Sequence, residues 1–81
     1  MNTTELGFLA VKRGDYQEAV NIFNRALEHR KAADTYFGFG LAHYHLGDLP
    51  TARWALFQAL ERDRDHKEAQ RYISRMAQAR K

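Results

Sequence analysis

Cysteine is absent from this sequence of 81 residues, and proline occurs once, at Pro50. Without cysteine the chain can form neither a disulfide framework nor a thiolate metal site, and it has no thiol nucleophile. No apolar run approaches the roughly 20 residues that span a bilayer, and the first residues carry no basic and apolar secretory signal. These absences lead us to expect a cytoplasmic protein without membrane contact.

Catalytic and metal-binding motifs are missing as well. Of the four histidines, only His43 and His45 lie close together in sequence, and residues two apart on a helix point to different sides. The sequence contains no His-Glu-x-x-His motif, no phosphate-binding glycine loop and no plausible Ser-His-Asp grouping. We therefore predict a protein without enzymatic activity, cofactor or metal.

What the chain does contain is a Gly-Asp pair that occurs twice, at Gly14 and again 33 residues later at Gly47. Each pair interrupts two segments whose apolar residues recur at helical spacing. Glycine adopts the left-handed conformation beyond a helix end at the lowest cost, and the following Asp can accept hydrogen bonds from the next helix. Two helical hairpins repeated at this period are typical of an α-solenoid.

The apolar periodicity predicts five helices and no strand. Their expected ranges are about 3–13, 16–29, 33–46, 49–63 and 65–80. Asn2 or Thr4 can cap the first helix and Asp34 the third. Gly40 lies on the packing face of the third helix and predicts a close approach of two backbones. Gly38 has no such place in the pattern, so it either opens the surface to a ligand or is simply tolerated.

The same residue types return at the same spacing in both hairpins. The first copy consists of Thr3, Leu6, Gly7, Ala10, Gly14, Asp15, Tyr16, Ala19, Phe23, Ala26 and Leu27, and the second of Tyr36, Phe39, Gly40, His43, Gly47, Asp48, Leu49, Ala52, Leu56, Ala59 and Leu60. This pattern resembles the tetratricopeptide repeat family. The resemblance implies an all-α fold, in which antiparallel helix-turn-helix repeats form a short right-handed α-solenoid. It divides a single domain, 1–81, into repeats at about 2–31 and 33–64 and a capping helix at about 65–80.

In that family, ligands usually lie along a concave surface built by the first helix of each pair. The resemblance therefore implies a protein–protein interaction module that binds a peptide or amphipathic helix in this groove. The corresponding residues are Thr4, Phe8, Val11, Lys12, Phe37, Leu41, Tyr44, His45, Arg71, Arg75 and Gln78. We expect Phe8, Phe37, Leu41 and Tyr44 to be partly exposed there, and a partner with apolar anchors and an acidic flank. The alternative is that the apolar members of this set pack together as additional core.

Two other surfaces give rival interpretations. Trp54 lies almost opposite the apolar stripe of the fourth helix with Phe57 one turn on, which indicates a patch for self-association unless a roll of the helix buries Trp54. The open end of the repeat array is the alternative surface for self-association. Residues 62–81 hold seven Lys or Arg against three Asp or Glu. They could meet a nucleic acid, but no known DNA-reading module is visible and acidic residues are interspersed. A solvated last helix explains this charge as well.

Overall fold

Five helices in antiparallel order make up the computed structural model, which describes residues 1–78. The helices α1 (Thr3–Arg13) and α2 (Tyr16–His29) form the first hairpin, and α3 (Ala33–Leu46) and α4 (Leu49–Arg62) form the second. A fifth helix, α5 (Lys67–Gln78), packs on α4. No strand occurs within 1–78, so the predicted all-α helical-repeat fold is confirmed. The last residues of the predicted fifth helix, 79 and 80, lie outside the described part.

The two turns between paired helices have the predicted glycine geometry. Gly14 and Gly47 end α1 and α3 with φ angles of 84° and 87°, in the left-handed region. In the second turn, the Thr51 amide donates to Asp48 Oδ1 at 3.3 Å and so caps α4. Hydrogen bonding from Thr51 holds the pKa of the Asp48 carboxyl below its ordinary value, and the nearby His43 acts in the same direction.

One predicted helix cap is confirmed, and two predicted helix starts need correction. Asn2 does cap α1, because its Oδ1 accepts from the Glu5 amide at 2.8 Å. Asp34, however, does not cap α3, which follows Ala32 without any side-chain cap. The fifth helix begins at Lys67 instead of residue 65, since the turn before it continues as far as His66.

The core of the first hairpin is built around one aromatic ring. Phe23 of α2 is fully buried, and a Cβ atom at Gly7 of α1 would lie only 2.6 Å from this ring. A Cβ atom at Gly38 of α3 would overlap the same ring. Gly38 is itself buried and therefore does not open the surface to a ligand. Two glycines on neighbouring helices make the space that Phe23 fills.

The predicted close approach at Gly40 is confirmed. A Cβ atom at this position would stand 3.1 Å from both the Ala52 carbonyl oxygen and the Ala55 Cβ of α4. Small side chains on α4 thus allow α3 and α4 to pack closely. A second apolar cluster, centred on the fully buried Leu56, continues the core from α3 and α4 to α5.

Candidate functional site

The helices α1, α3 and α5 share one surface, which carries a row of aromatic rings. Phe8 of α1 stacks on Phe37 of α3, with ring centroids 6.1 Å apart. Tyr72 of α5 lies 5.9 Å from Phe37 and 5.3 Å from Tyr44, again between ring centroids. We call this surface, formed by Phe8, Phe37, Leu41, Tyr44, His45, Tyr72 and Arg75, the inner wall. The first helices of both hairpins and α5 therefore contribute to a single surface, which includes six of the eleven candidate groove residues.

Phe37 differs from its sequence-based expectation, because it is only 4% exposed. The rings of Phe8 and Tyr72 pack on it, and the His66 ring lies 5.0 Å away, so segments on both sides of α3 cover it. The prediction of a partly exposed Phe37 is wrong, and the alternative of additional core holds for this residue. Phe8, Leu41 and Tyr44 are half-buried, which leaves part of each side chain accessible on the wall.

Positively charged side chains lie on α5 and α1, the two outer helices of the inner wall. The Arg75 guanidinium stands over the Tyr72 ring, 5.1 Å from its centroid, in a cation–π contact. Arg71 and Gln78 on the same helix, and Lys12 on α1, are exposed. At the other end of the wall, the exposed His45 stacks on Tyr16 of α2 at 4.5 Å between centroids.

The two remaining candidate residues are already engaged within the fold. The hydroxyls of Thr4 and the buried Thr35 share a hydrogen bond of 2.9 Å, which ties the start of α1 to α3. Val11 is half-buried and packs against the apolar cluster around Phe23. These contacts give both residues a role in holding α1 against the rest of the solenoid.

His66 is a structural residue of the site that sequence reasoning missed. It is 6% exposed, its Nδ1 accepts from the Ala69 amide at 3.1 Å, and its Nε2 lies 2.9 Å from Asp34 Oδ1. Because a backbone amide can only donate, Nδ1 carries no proton and Nε2–H donates to Asp34. His66 therefore caps α5 and links it to α3, which positions Tyr72 and Arg75. Because the sequence prediction began the fifth helix at residue 65, it placed His66 inside the helix and gave no sign of a capping role.

The second predicted interface is exposed, but its two residues have different surroundings. Trp54 is 51% exposed and Phe57 is 47% exposed, so no roll of α4 buries Trp54. The Trp54 ring meets Tyr36 of α3 edge-on, with centroids 5.8 Å apart. Phe57 instead faces α5, where it lines a cavity to which Trp54 does not contribute.

This cavity has a volume of about 510 Å³ and lies between α4 and α5. Its lining consists of Leu49, Pro50, Arg53, Phe57, Ile73, Met76 and Ala77. Six of these seven side chains are apolar, and Arg53 is the charged one. We call this feature the α4–α5 groove. It shares no lining residue with the inner wall, and periodicity alone did not reveal it because its two walls belong to different repeats.

Within residues 1–78, no three His, Cys, Asp or Glu side chains come together in a way that could hold a metal ion. Over the same residues, no helix has the length and apolar character needed to cross a membrane.

Comparison with known proteins supports the helical-repeat architecture. A family model described as "Tetratricopeptide repeat" matches residues 4–68, which include almost all of both hairpins and the beginning of α5. Neither the curated proteins nor the solved structures give a match to this chain.

Proposed function

The chain belongs to the tetratricopeptide repeat family, and on that basis we propose that it binds a peptide or amphipathic helix of a protein partner along its inner wall. Repeats of this family generally mediate protein–protein interactions and are typically non-catalytic. The observation that supports the inner wall most strongly is its continuity. Successive rings from α1 through α3 to α5 lie no more than 6.1 Å apart between centroids, and Tyr44 and Tyr72 remain half-exposed.

Half-exposed apolar side chains give the wall its anchoring capacity. Leu41 and Tyr44 lie on successive turns of α3 with part of each side chain accessible. Both pack against the cluster around Leu56, so they are held in place before a partner arrives. Pre-ordered aromatic and aliphatic anchors lose little conformational entropy on binding, and such residues dominate protein interfaces.

The charge along the wall favours an acidic flank on the partner. Arg71 and Arg75 are exposed on α5 and Lys12 on α1, the two outer helices of the wall, and Arg75 lies over Tyr72. Complementary charges at an interface rim mainly accelerate association and select between partners, while the apolar contacts supply most of the affinity. The proposed partner segment therefore carries apolar anchors next to Asp or Glu.

Affinity capture from cell lysate with matched variants tests this function. Tyr44→Ala removes a wall residue, while Phe57→Ala removes an exposed aromatic side chain outside the wall. We expect the proteins that bind the wall to be lost with Tyr44→Ala and retained with Phe57→Ala. Capture of the same proteins by all three forms would overturn the proposal.

Self-association is the rival interpretation, and the exposure of Trp54 and Phe57 favours it. It predicts Trp54 fluorescence that is readily quenched in dilute protein and shifts to shorter wavelength as protein concentration rises. Binding of mixed DNA or RNA, with affinity that falls steeply with salt and depends on the arginines of α5, would instead support a nucleic-acid ligand. Either result, combined with capture of no protein through the wall, would replace the proposed function.

A further inference from the structure

The two walls of the α4–α5 groove correspond, through the sequence repeat, to surfaces that other helices of the chain cover. The 33-residue repeat that relates the two hairpins also relates α3 to α5, so that Gly40 corresponds to Ile73 and His43 to Met76. Gly40 is the position at which α3 and α4 pack closely. By this correspondence, Ile73 faces the place where a further helix would pack, and Ile73 is part of the groove lining.

The opposite wall of the groove follows the same relation. The repeat places Arg53 of α4 where Val20 stands in α2. Val20 is buried at 6% exposure in one apolar cluster with Ala42 and Ala55 of the second hairpin. Arg53 is exposed and lines the groove. The α5 wall of the groove therefore corresponds to a surface that α4 covers within the second hairpin, and the α4 wall to a surface that the second hairpin covers on α2.

The differences between these equivalent positions indicate the size of the side chains that fit. At Gly40 even a Cβ atom would stand 3.1 Å from the Ala52 carbonyl oxygen, because α4 approaches so closely. Ile73 prevents an equally close approach to α5, so a helix with an alanine face like that of α4 would leave the groove partly empty. Protein interfaces pack about as densely as protein interiors. Filling about 510 Å³ thus requires large apolar side chains.

Arg53 indicates the charge of the occupant. A guanidinium that is covered by a partner loses its hydration and requires an acceptor of opposite charge. A second copy of this chain docked groove to groove would instead bury two Arg53 side chains in one interface, and the groove lining has no Asp or Glu to pair with them. We propose that the α4–α5 groove binds an amphipathic helix of another protein, which presents large apolar side chains and one Asp or Glu to Arg53. This surface is separate from the inner wall and goes beyond the proposed function.

Three synthetic 14-residue helical peptides provide the probes. The first has a leucine face flanked on both edges by Glu, the second replaces these Glu residues with Lys, and the third keeps Glu but has an alanine face. Titration into ¹⁵N-labelled protein should shift the backbone amides of residues 49, 51–57 and 73–77. We expect the first peptide to bind at least tenfold more tightly than either of the others. Equal affinities, shifts confined to the region around Tyr44, or no shift at millimolar peptide would overturn the proposal.

Charge-reversal variants separate recognition by Arg53 from general attraction to a basic protein. Arg53→Glu should reverse the preference, so that the Lys-flanked peptide binds more tightly than the Glu-flanked one. Arg25→Glu, at an exposed site on α2, makes the same charge change away from the groove and should leave the preference unaltered. Circular dichroism verifies that both variants are folded. An unaltered preference in Arg53→Glu contradicts the proposal.

Two further measurements distinguish a partner helix in the groove from a second copy of the chain and from binding at the inner wall. Sedimentation of the free protein that shows a dimer abolished by Phe57→Ala would identify a second copy as the occupant and overturn the proposed one. Tyr44→Ala should leave binding of the Glu-flanked peptide unchanged, because Tyr44 does not line the groove. The groove and the inner wall can thus succeed or fail independently.

Discussion

The junction between the two hairpins and the α4–α5 groove each contain a phenylalanine, which is buried at the junction and half-exposed at the groove. Phe23 at the junction is fully buried, with glycines at positions 7 and 38 against its ring. Phe57 at the groove is 47% exposed and faces a helix that carries Ile73 where the preceding repeat has glycine. The closed junction holds the repeats together, whereas the open groove leaves apolar surface for contact with another molecule. By the 33-residue repeat Phe23 corresponds to the buried Leu56 and Phe57 to the exposed Asn24, so the position on the helix decides which of these roles a phenylalanine has.

The largest expected contrast comes from the same truncation in the two regions. Phe23→Ala should destabilise the fold by about 3–5 kcal/mol, because it leaves a cavity between three helices. Phe57→Ala should cost no more than about 1 kcal/mol, because about half of its side chain is already exposed. Urea denaturation followed by circular dichroism measures both. Similar losses of stability in the two variants would contradict the distinction between a closed junction and an open groove.

Added volume should produce the next largest effect. Gly38→Ala places a methyl group against the Phe23 ring and should cost about 1–3 kcal/mol. Ala77→Val adds volume to the lining of the groove and should change stability by less than about 0.5 kcal/mol, since the side chain is exposed. Thermal unfolding of the two variants tests this pair. If Gly38→Ala proves neutral, the Phe23 ring has room that the structure does not show.

Features of the fold differ in how far the sequence predicts them. The turn glycines Gly14 and Gly47 and the contact at Gly40 follow from local signals, because a helix end and a packing face each have a residue pattern. The burial of Phe37 does not, since the rings that cover it come from Phe8, about one repeat earlier, and Tyr72, about one repeat later. Periodicity gives the direction in which a side chain points but not whether a neighbouring element covers it.

Removing the cap of α5 should destabilise the helix that borders the α4–α5 groove and leave the junction around Phe23 unchanged. His66→Ala removes the acceptor for the Ala69 amide and should destabilise α5 by about 1 kcal/mol, as the loss of a helix cap does. His66→Asn retains a side-chain acceptor and should recover part of this loss. Hydrogen exchange of backbone amides is the measurement, with faster exchange expected in α5 and little change around Phe23. Exchange that accelerates equally throughout the chain would show that α5 does not open independently.

The smallest expected effect is a difference between the two turns, at Asp15 and at Asp48, in how acid affects unfolding. Asp48 caps α4 and has a lowered pKa through its hydrogen bonds with Thr51, whereas Asp15 makes no side-chain cap at α2. A carboxyl whose pKa is lowered on folding stabilises the protein at neutral pH, and this contribution is lost as pH falls below about 4 and through the lowered value. Asp48→Asn should therefore make unfolding less dependent on pH in that range than Asp15→Asn does. Identical acid profiles would mean that the Asp48 cap contributes nothing.

The central claim is that the inner wall, and not Trp54 or Phe57, binds the partner whose capture requires Tyr44. Isothermal titration calorimetry tests it most directly, with a peptide from this partner and with variants shown to be folded. Leu41→Ala should weaken binding by at least about 1 kcal/mol, or roughly fivefold, because it removes an anchor from the wall. Phe57→Ala should leave the dissociation constant within about twofold. An unchanged dissociation constant in Leu41→Ala together with a loss of binding in Phe57→Ala would contradict the account.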